Sequence, residues 1–376
     1  MTDTEQVRVE GLVEPGFEAV RRAFAANFSE HGDVGAAVCL HVDGRRVVDL
    51  WGGVADVDTG RPWTEDTLQL VFSTTKGATA ACANLLVQRS QLDVDAPVVR
   101  YWPDFAEPGT DKADILVRWL LCHKAGLAAV DATLTLEEAL AWKPMVHALE
   151  AQAPLWEPGT AHGYHATTFG WLVGEVVRRA DPAHRSLGTF FAEEIAGPLG
   201  IDFFIGLPPE HEPRVARLVG SLVPDVHDAD PEIRALVESF IGPDTMLGRA
   251  LGAPSFVWNE PDVWNSPAVH AAEVPAANGI TDARSLSRFY AALVSDLRAD
   301  GDRPCSERLL SAEQVEAARA PQTEGPDLVL SFDTRFGLGF MTASAFSPYG
   351  GAGSFGHAGA GGSVGFVDPD QGLAFG

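Results

Sequence analysis

The chain has 376 residues, 46% of them apolar, with 38 glycines and 25 prolines, a turn-rich globular composition that excludes a coiled coil or a disordered polymer. Its formal charge of -25 leaves no basic surface large enough to offset phosphate charge, so nucleic acid is excluded as an expected partner and small or neutral substrates fit better. The N-terminal MTDTEQVRVEGLVEPG has neither the basic start nor the apolar core of a secretory signal, and no run of about eighteen apolar residues occurs, so no membrane association is expected and a cytoplasmic location is. Cys39, Cys82, Cys122 and Cys305 lie far apart without C-x-x-C spacing, which predicts buried reduced thiols rather than a zinc site or a disulfide framework.

In chain order, residues 17–31 place apolar positions at helical spacing with charges between them, and an amphipathic helix is expected. From Val34 to Asp56, two runs rich in β-branched residues are joined by Asp43-Gly44, which predicts an antiparallel hairpin. Turn residues then lead into the apolar run Leu68–Phe72, which delivers the chain to Ser73, and alanine-rich helix follows from Gly77. Between about residues 85 and 271 helical patterns dominate, at 114–126, 134–152, 167–180 and 187–200. Residues 205–270 are proline-rich and weakly periodic, the composition of long surface loops that wall pockets. A capped helix beginning near Thr281 or Asp282 precedes short, Gly-spaced β-leaning runs that complete the sheet begun at Val34. The last of these, GLAFG, reads as a strand cut in mid-course, consistent with a native chain that continues past Gly376. The pattern predicts an α/β plus all-α architecture: an antiparallel sheet flanked by helices, carried by residues 1–84 and 272–376, with a mainly helical domain of residues 85–271 inserted.

Three stretches carry residue types suited to nucleophilic chemistry. In Ser73-Thr74-Thr75-Lys76, a serine and a lysine three apart share one helix face, so the amine reaches the hydroxyl. A serine needs such a base, and a lysine serves if burial lowers its pKa. Tyr164 stands after a Gly-rich turn and just before a helix, where it can relay protons; near a lysine ammonium its phenolate becomes accessible, as base towards Ser73 and later as acid towards the leaving group. His357-Ala358-Gly359-Ala360 begins a Gly-rich strand whose small residues let backbone approach backbone. A carbonyl between that strand and the Ser73 turn would receive the N–H groups of Ser73 and Ala360, with His357 at the cleft edge as a polar or cationic contact beside Gly359.

Other candidates weigh less. Gly361-Gly362-Ser363-Val364-Gly365 reads as the G-x-S-x-G nucleophile elbow, but no histidine follows it in the chain, and a sheet-filling Gly-Ser segment explains it. His162 and His165 flank Tyr164 and are placed to line the pocket; as a metal pair they lack a third ligand. His123 is read as fixing a turn. Trp51, Trp156, Trp258 and Trp264 suit either core or the wall of an apolar acyl site.

Taken together, these motifs resemble the serine β-lactamase-like superfamily, which includes class C β-lactamases, D-alanyl-D-alanine peptidases and family VIII carboxylesterases. Ser73-Thr74-Thr75-Lys76 matches the Ser-x-x-Lys box, Tyr164-His165-Ala166 resembles the Tyr-x-Asn box, and His357-Ala358-Gly359 resembles the Lys-Thr-Gly box in a His-x-Gly form. The likeness spans nearly the whole chain, including WGGVAD at Trp51, the LLCHKAGL turn at Leu120 and WEPG at Trp156. It implies a β-lactamase/transpeptidase-like fold, catalysis by Ser73, Lys76 and Tyr164, and no metal or organic cofactor. Ala166 in place of asparagine and His357 in place of lysine resemble the esterase branch, and so imply a small-molecule ester substrate. The rivals are a β-lactamase or D-amino-acid peptidase or amidase with the same machinery, and a non-catalytic binding or sensor module of the same fold.

Overall fold

The computed structural model describes residues 7–220, 230–259, 262–301 and 303–376. Its largest sheet is antiparallel throughout. From one edge it runs Val9–Val13, Arg45–Asp56, Gly35–Val42, Leu373–Phe375, Val364–Asp368, Phe355–Ala358, Met341–Thr342, Asp333–Phe336 and Thr323–Pro326. The closing strands thus join the sheet that opens at Gly35: Leu373–Phe375 pairs with the Gly35–Val42 strand. A hairpin forms where Asp43-Gly44 predicts it, with both turn residues in the left-handed region at φ 48° and 68°. Gly44 is required twice over, because a Cβ there would stand 2.0 Å from the Asp296 carbonyl oxygen.

The expected amphipathic helix covers Glu18–Ala26 and runs on into a wider turn at Asn27–His31. Its Phe24 packs with Val38, Leu40, Val47, Val48 and Leu50 on one face of the sheet. The helix Ala283–Val294 packs on the central strands and is capped by Asp282, whose carboxylate accepts the Ser285 N–H at 2.6 Å.

The helix Thr75–Gln88 is buried on all sides, from Thr75 to Leu86. Its run of alanines and Gly77 lets neighbours approach closely, and it packs against the helix Thr168–Ala180 and the strand Phe355–Ala358. These contacts place the middle of the chain against its end, on one continuous hydrophobic core.

Three sequence expectations need correction here. The 134–152 pattern is interrupted: helices Leu136–Leu140 and Lys143–Ala151 are separated at Trp142, which sits at φ 60° with its indole N–H donated to Glu175 at 2.9 Å. The 205–270 stretch is not all loop. It holds helices Pro231–Ile241, Met246–Gly252 and Pro267–Ala271, each opened by a side-chain cap, from Asp230, Thr245 and Ser266 respectively. Part of it, residues 221–229, lies outside the described residues. Of the cysteines, Cys39, Cys82 and Cys122 are buried and free as expected, whereas Cys305 is exposed.

Candidate active site

Ser73 lies in a tight turn, Phe72–Thr74, that feeds directly into the Thr75–Gln88 helix. Between Val71 and Leu86 it alone is not buried. The turn holds Phe72 at φ 42°, a left-handed conformation costing about 1–3 kcal/mol for a non-glycine residue. Tertiary contacts maintain it. Thr75 Oγ1 donates to the Phe72 carbonyl at 2.5 Å and accepts from Gly279 N at 2.8 Å, Val71 N donates to Gly279 O at 2.9 Å, and the Phe72 ring packs edge-on to Trp264 at 5.2 Å.

Lys76 is fully buried, with Nζ 3.1 Å from Ser73 Oγ, 2.7 Å from the Ala166 carbonyl and 3.0 Å from the Ala276 carbonyl. No carboxylate forms an ion pair with it among the described residues, and burial drives its pKa well below that of an ordinary lysine. Two of the three partners are carbonyls, which only accept, so in the neutral form that burial favours the two N–H groups serve them and the lone pair faces the Ser73 hydroxyl. That is the geometry of a general base.

Tyr164 is buried beside this pair, its ring 4.8 Å from Lys76 Nζ. Burial pushes its phenol well above the ordinary value, opposed by hydrogen bonding to Ser73. That direction favours the protonated phenol over the phenolate expected from sequence.

The second face of the site is the end of the strand Phe355–Ala358. His357-Ala358-Gly359-Ala360 does not begin a strand but closes one, and Ala360 opens the short turn Ala360–Gly362. Gly359 lies so close to the Ser73 turn that a Cβ would stand 2.3 Å from the Val71 carbonyl oxygen and 2.9 Å from Thr74 Oγ1. This contact brings the turn opened by the exposed Ala360 against the turn that holds Ser73. Ser363, the false elbow, donates to Val71 O at 2.8 Å and accepts from Thr74 Oγ1 at 3.2 Å, so its hydroxyl bolts the two turns together.

His357 is neither at the cleft edge nor cationic. It is fully buried, and that burial lowers its pKa to about 3. Its Nδ1–H donates to the Ala358 carbonyl at 2.7 Å. His165 is also removed from substrate contact. It is fully buried, with Nδ1–H donated to Gly163 O at 2.7 Å and Nε2 accepting Leu127 N–H at 3.0 Å, so both ring nitrogens serve the fold. His123 fixes this turn as expected, its Nδ1 accepting His165 N–H at 3.1 Å. His162 Nε2 lies 2.9 Å from Thr334 Oγ1. Among the described residues no group of three or more His, Cys, Asp or Glu is arranged to hold a metal, and no helix is long and apolar enough to cross a membrane. Trp258 and Trp264 stack on each other at 5.1 Å in the core, whereas Trp156 is half-buried at the cluster around Tyr164.

Sequence reasoning did not find the carbonyls of Ala166 and Ala276 that hold Lys76, because a backbone acceptor leaves no residue-type signal. It also passed over Asp327, which stands in an unremarkable turn.

The buried histidines have a measurable consequence. His41, His165 and His357 are held neutral, with pKa values near 3, 4 and 3. In the unfolded chain each takes a proton at about pH 6.5. Between those limits the unfolded state binds more protons, so stability falls as pH is lowered, by roughly 1 kcal/mol per pH unit for each histidine. Thermal unfolding followed by circular dichroism should show a markedly lower Tm at pH 4.5 than at pH 7, and a flat Tm across that range would contradict the burial of neutral imidazoles.

A half-buried serine on a helix-opening turn, a buried lysine without a carboxylate partner among the described residues, and a buried tyrosine meet in an arrangement suited to serine hydrolase chemistry. The Beta-lactamase family profile matches residues 20–376, and the chain belongs to that family. It is 35% identical to Esterase/beta-lactamase LipL of Mycobacterium tuberculosis, over 98% of this chain and 82% of that protein. Among solved structures it is similar to a family VIII carboxylesterase, with TM-score 0.82 and 36% identity over 98% of this chain and 92% of the other. It is similar to the same degree to a penicillin-binding protein homologue from Caulobacter crescentus, with TM-score 0.83 and 33% identity over 98% and 92%.

Proposed function

We propose that the chain is a carboxylesterase-type hydrolase of small, uncharged carboxylic esters, with its site in the cleft between residues 1–84 plus 272–376 and the helical residues 85–271. Ser73 Oγ attacks the ester carbonyl carbon while its proton passes to the Lys76 amine. The backbone N–H groups of Ser73 and Ala360 hold the oxyanion. Tyr164 gives its proton to the departing alkoxide and is reprotonated from Lys76, so the alcohol leaves neutral and the acyl group stays on Ser73 until water releases it.

The observation that carries the ester reading is the neutral, buried His357, at the position where the lactamase pattern has a lysine. A substrate carboxylate would find no fixed cation there, whereas an uncharged ester needs none. The family VIII carboxylesterase structure and the esterase half of LipL's name agree with this. The amide reading is supported by the beta-lactamase half of LipL's name and by the equal likeness to the penicillin-binding protein homologue. Kinetics on p-nitrophenyl butyrate and nitrocefin separate the two: kcat/KM for the ester should exceed that for the lactam by about 100-fold or more, and fast lactam turnover with negligible ester turnover would reverse the assignment.

A further inference from the structure

We propose that Asp327 is a positioning residue for Tyr164, one buried carboxylate tying the tyrosine's backbone to the loop that walls the site beside it. This rests on the reading of Tyr164 as the proton-holding partner of Ser73. Asp327 is 2% exposed. Its Oδ1 accepts three backbone N–H groups, from Tyr164 at 3.0 Å, Val329 at 2.9 Å and Leu330 at 2.9 Å. Its Oδ2 accepts the Thr334 hydroxyl at 3.1 Å. Since that hydroxyl's proton is committed to Asp327, Thr334 receives the Nε2–H of His162 at 2.9 Å, and a single hydrogen-bonded chain runs from His162 through Thr334 to Asp327 and back to Tyr164.

The loop is closed by the same residue. Asp327 N–H donates to Phe332 O at 3.0 Å, Ser331 N–H donates to Asp327 O at 2.9 Å, and Leu328 N–H donates to His162 O at 3.0 Å. Val329 and Tyr164 then share one apolar cluster, with Leu330, Leu247 and Met246 packed around it. Among the described residues no arginine or lysine pairs with the Asp327 carboxylate; His162 at 4.0 Å is the nearest titratable partner, and burial lowers its pKa. The charge is therefore spent on N–H dipoles, and such charge-assisted bonds are about twice as strong as neutral ones. A tyrosine that passes a proton between Ser73 and a leaving group tolerates little displacement, because about 1 Å of misplacement can cost about 100-fold in rate.

The test uses the full chain and two readouts: steady-state hydrolysis of ethyl butyrate, whose alkoxide leaving group needs the Tyr164 proton, and the rate at which a fluorophosphonate modifies Ser73, whose fluoride leaving group does not. Asp327→Ala should lower kcat on ethyl butyrate by about 100-fold with KM within about threefold, and the phosphonylation rate by less than about threefold. Asp327→Asn keeps an oxygen for the three N–H groups without the charge, and its kcat should fall about tenfold, between alanine and wild type. If Asp327→Ala does not fold, the asparagine variant decides. Wild-type kcat on ethyl butyrate in Asp327→Asn, a change confined to KM, or phosphonylation slowed as much as kcat, overturns the inference. Tyr164→Phe is the reference: ethyl butyrate hydrolysis at the wild-type rate in that variant sinks the reading of Tyr164 itself, whereas a slowed Tyr164→Phe beside an unaffected Asp327→Asn sinks only the positioning role.

Discussion

Ser73→Ala is expected to abolish ester hydrolysis and covalent labelling by a fluorophosphonate, with kcat reduced by about 10^4-fold or more, while Ser363→Ala retains most of both. The contrast follows from where the two hydroxyls are spent. Ser73 Oγ faces a buried amine at 3.1 Å that can take its proton. Ser363 Oγ is engaged by the Val71 carbonyl and Thr74 Oγ1, acceptor and donor within the fold, with no base beside it. Removing the Ser363 hydroxyl costs about 1 kcal/mol of stability for the lost hydrogen bonds, visible as a lowered Tm without loss of labelling. Labelling that survives Ser73→Ala and vanishes in Ser363→Ala would transfer the nucleophile to the Gly-x-Ser-x-Gly segment.

Lys76→Met should cost about 10^3 to 10^4-fold in kcat/KM, the upper range for a general base. Methionine keeps the length and apolar stem but has no lone pair basic enough to accept the Ser73 proton. Lys76→Arg should fail as completely, because a guanidinium stays charged and has no lone pair to offer. The wild-type pH profile follows from the same group. In the proposed mechanism activity requires the neutral amine, so kcat/KM should fall as pH drops and Lys76 gains a proton, and this limb should disappear from the residual activity of Lys76→Met. Linkage sets a second sign. The folded pKa is depressed, so below about pH 10.4 the unfolded chain binds a proton that the folded chain does not, and folding loses stability as pH falls towards the folded value. Lys76→Met removes this cost. It should therefore keep or gain Tm relative to wild type near neutral pH while losing activity, and a variant that lost both in parallel would assign Lys76 to packing rather than to chemistry.

Much of the fold was legible wherever a short-range rule applied. Asp43-Gly44 sets a turn whose two φ values suit few other residue pairs, and Asp282 caps its helix through a bond three residues away. The serine and lysine of the first motif meet because helical rise sets the spacing of residues three apart. Where local signals conflict, the reading failed. The caps at Asp230 and Thr245 were in plain view, but dense prolines outweighed them, although Pro231 occupies a first-turn position that a helix tolerates. Trp142 breaks its helix for a tertiary reason, its indole held by Glu175 from another helix.

The sequence by itself determined which groups are available near Ser73: an amine one helical turn away, a phenol before the next large helix, and a Gly-rich strand end small enough to lie against the serine turn. Only the tertiary structure decided the protonation of each. Burial pushes the pKa values of Lys76 and His357 down and that of Tyr164 up because segments distant in the chain exclude water from them, and desolvation penalises charge whatever the local sequence. The same is true of Asp327, 163 residues from the tyrosine whose backbone it holds. Its importance is a property of three N–H groups converging on one buried oxygen, and convergence across that distance in the chain has no signature in spacing or composition.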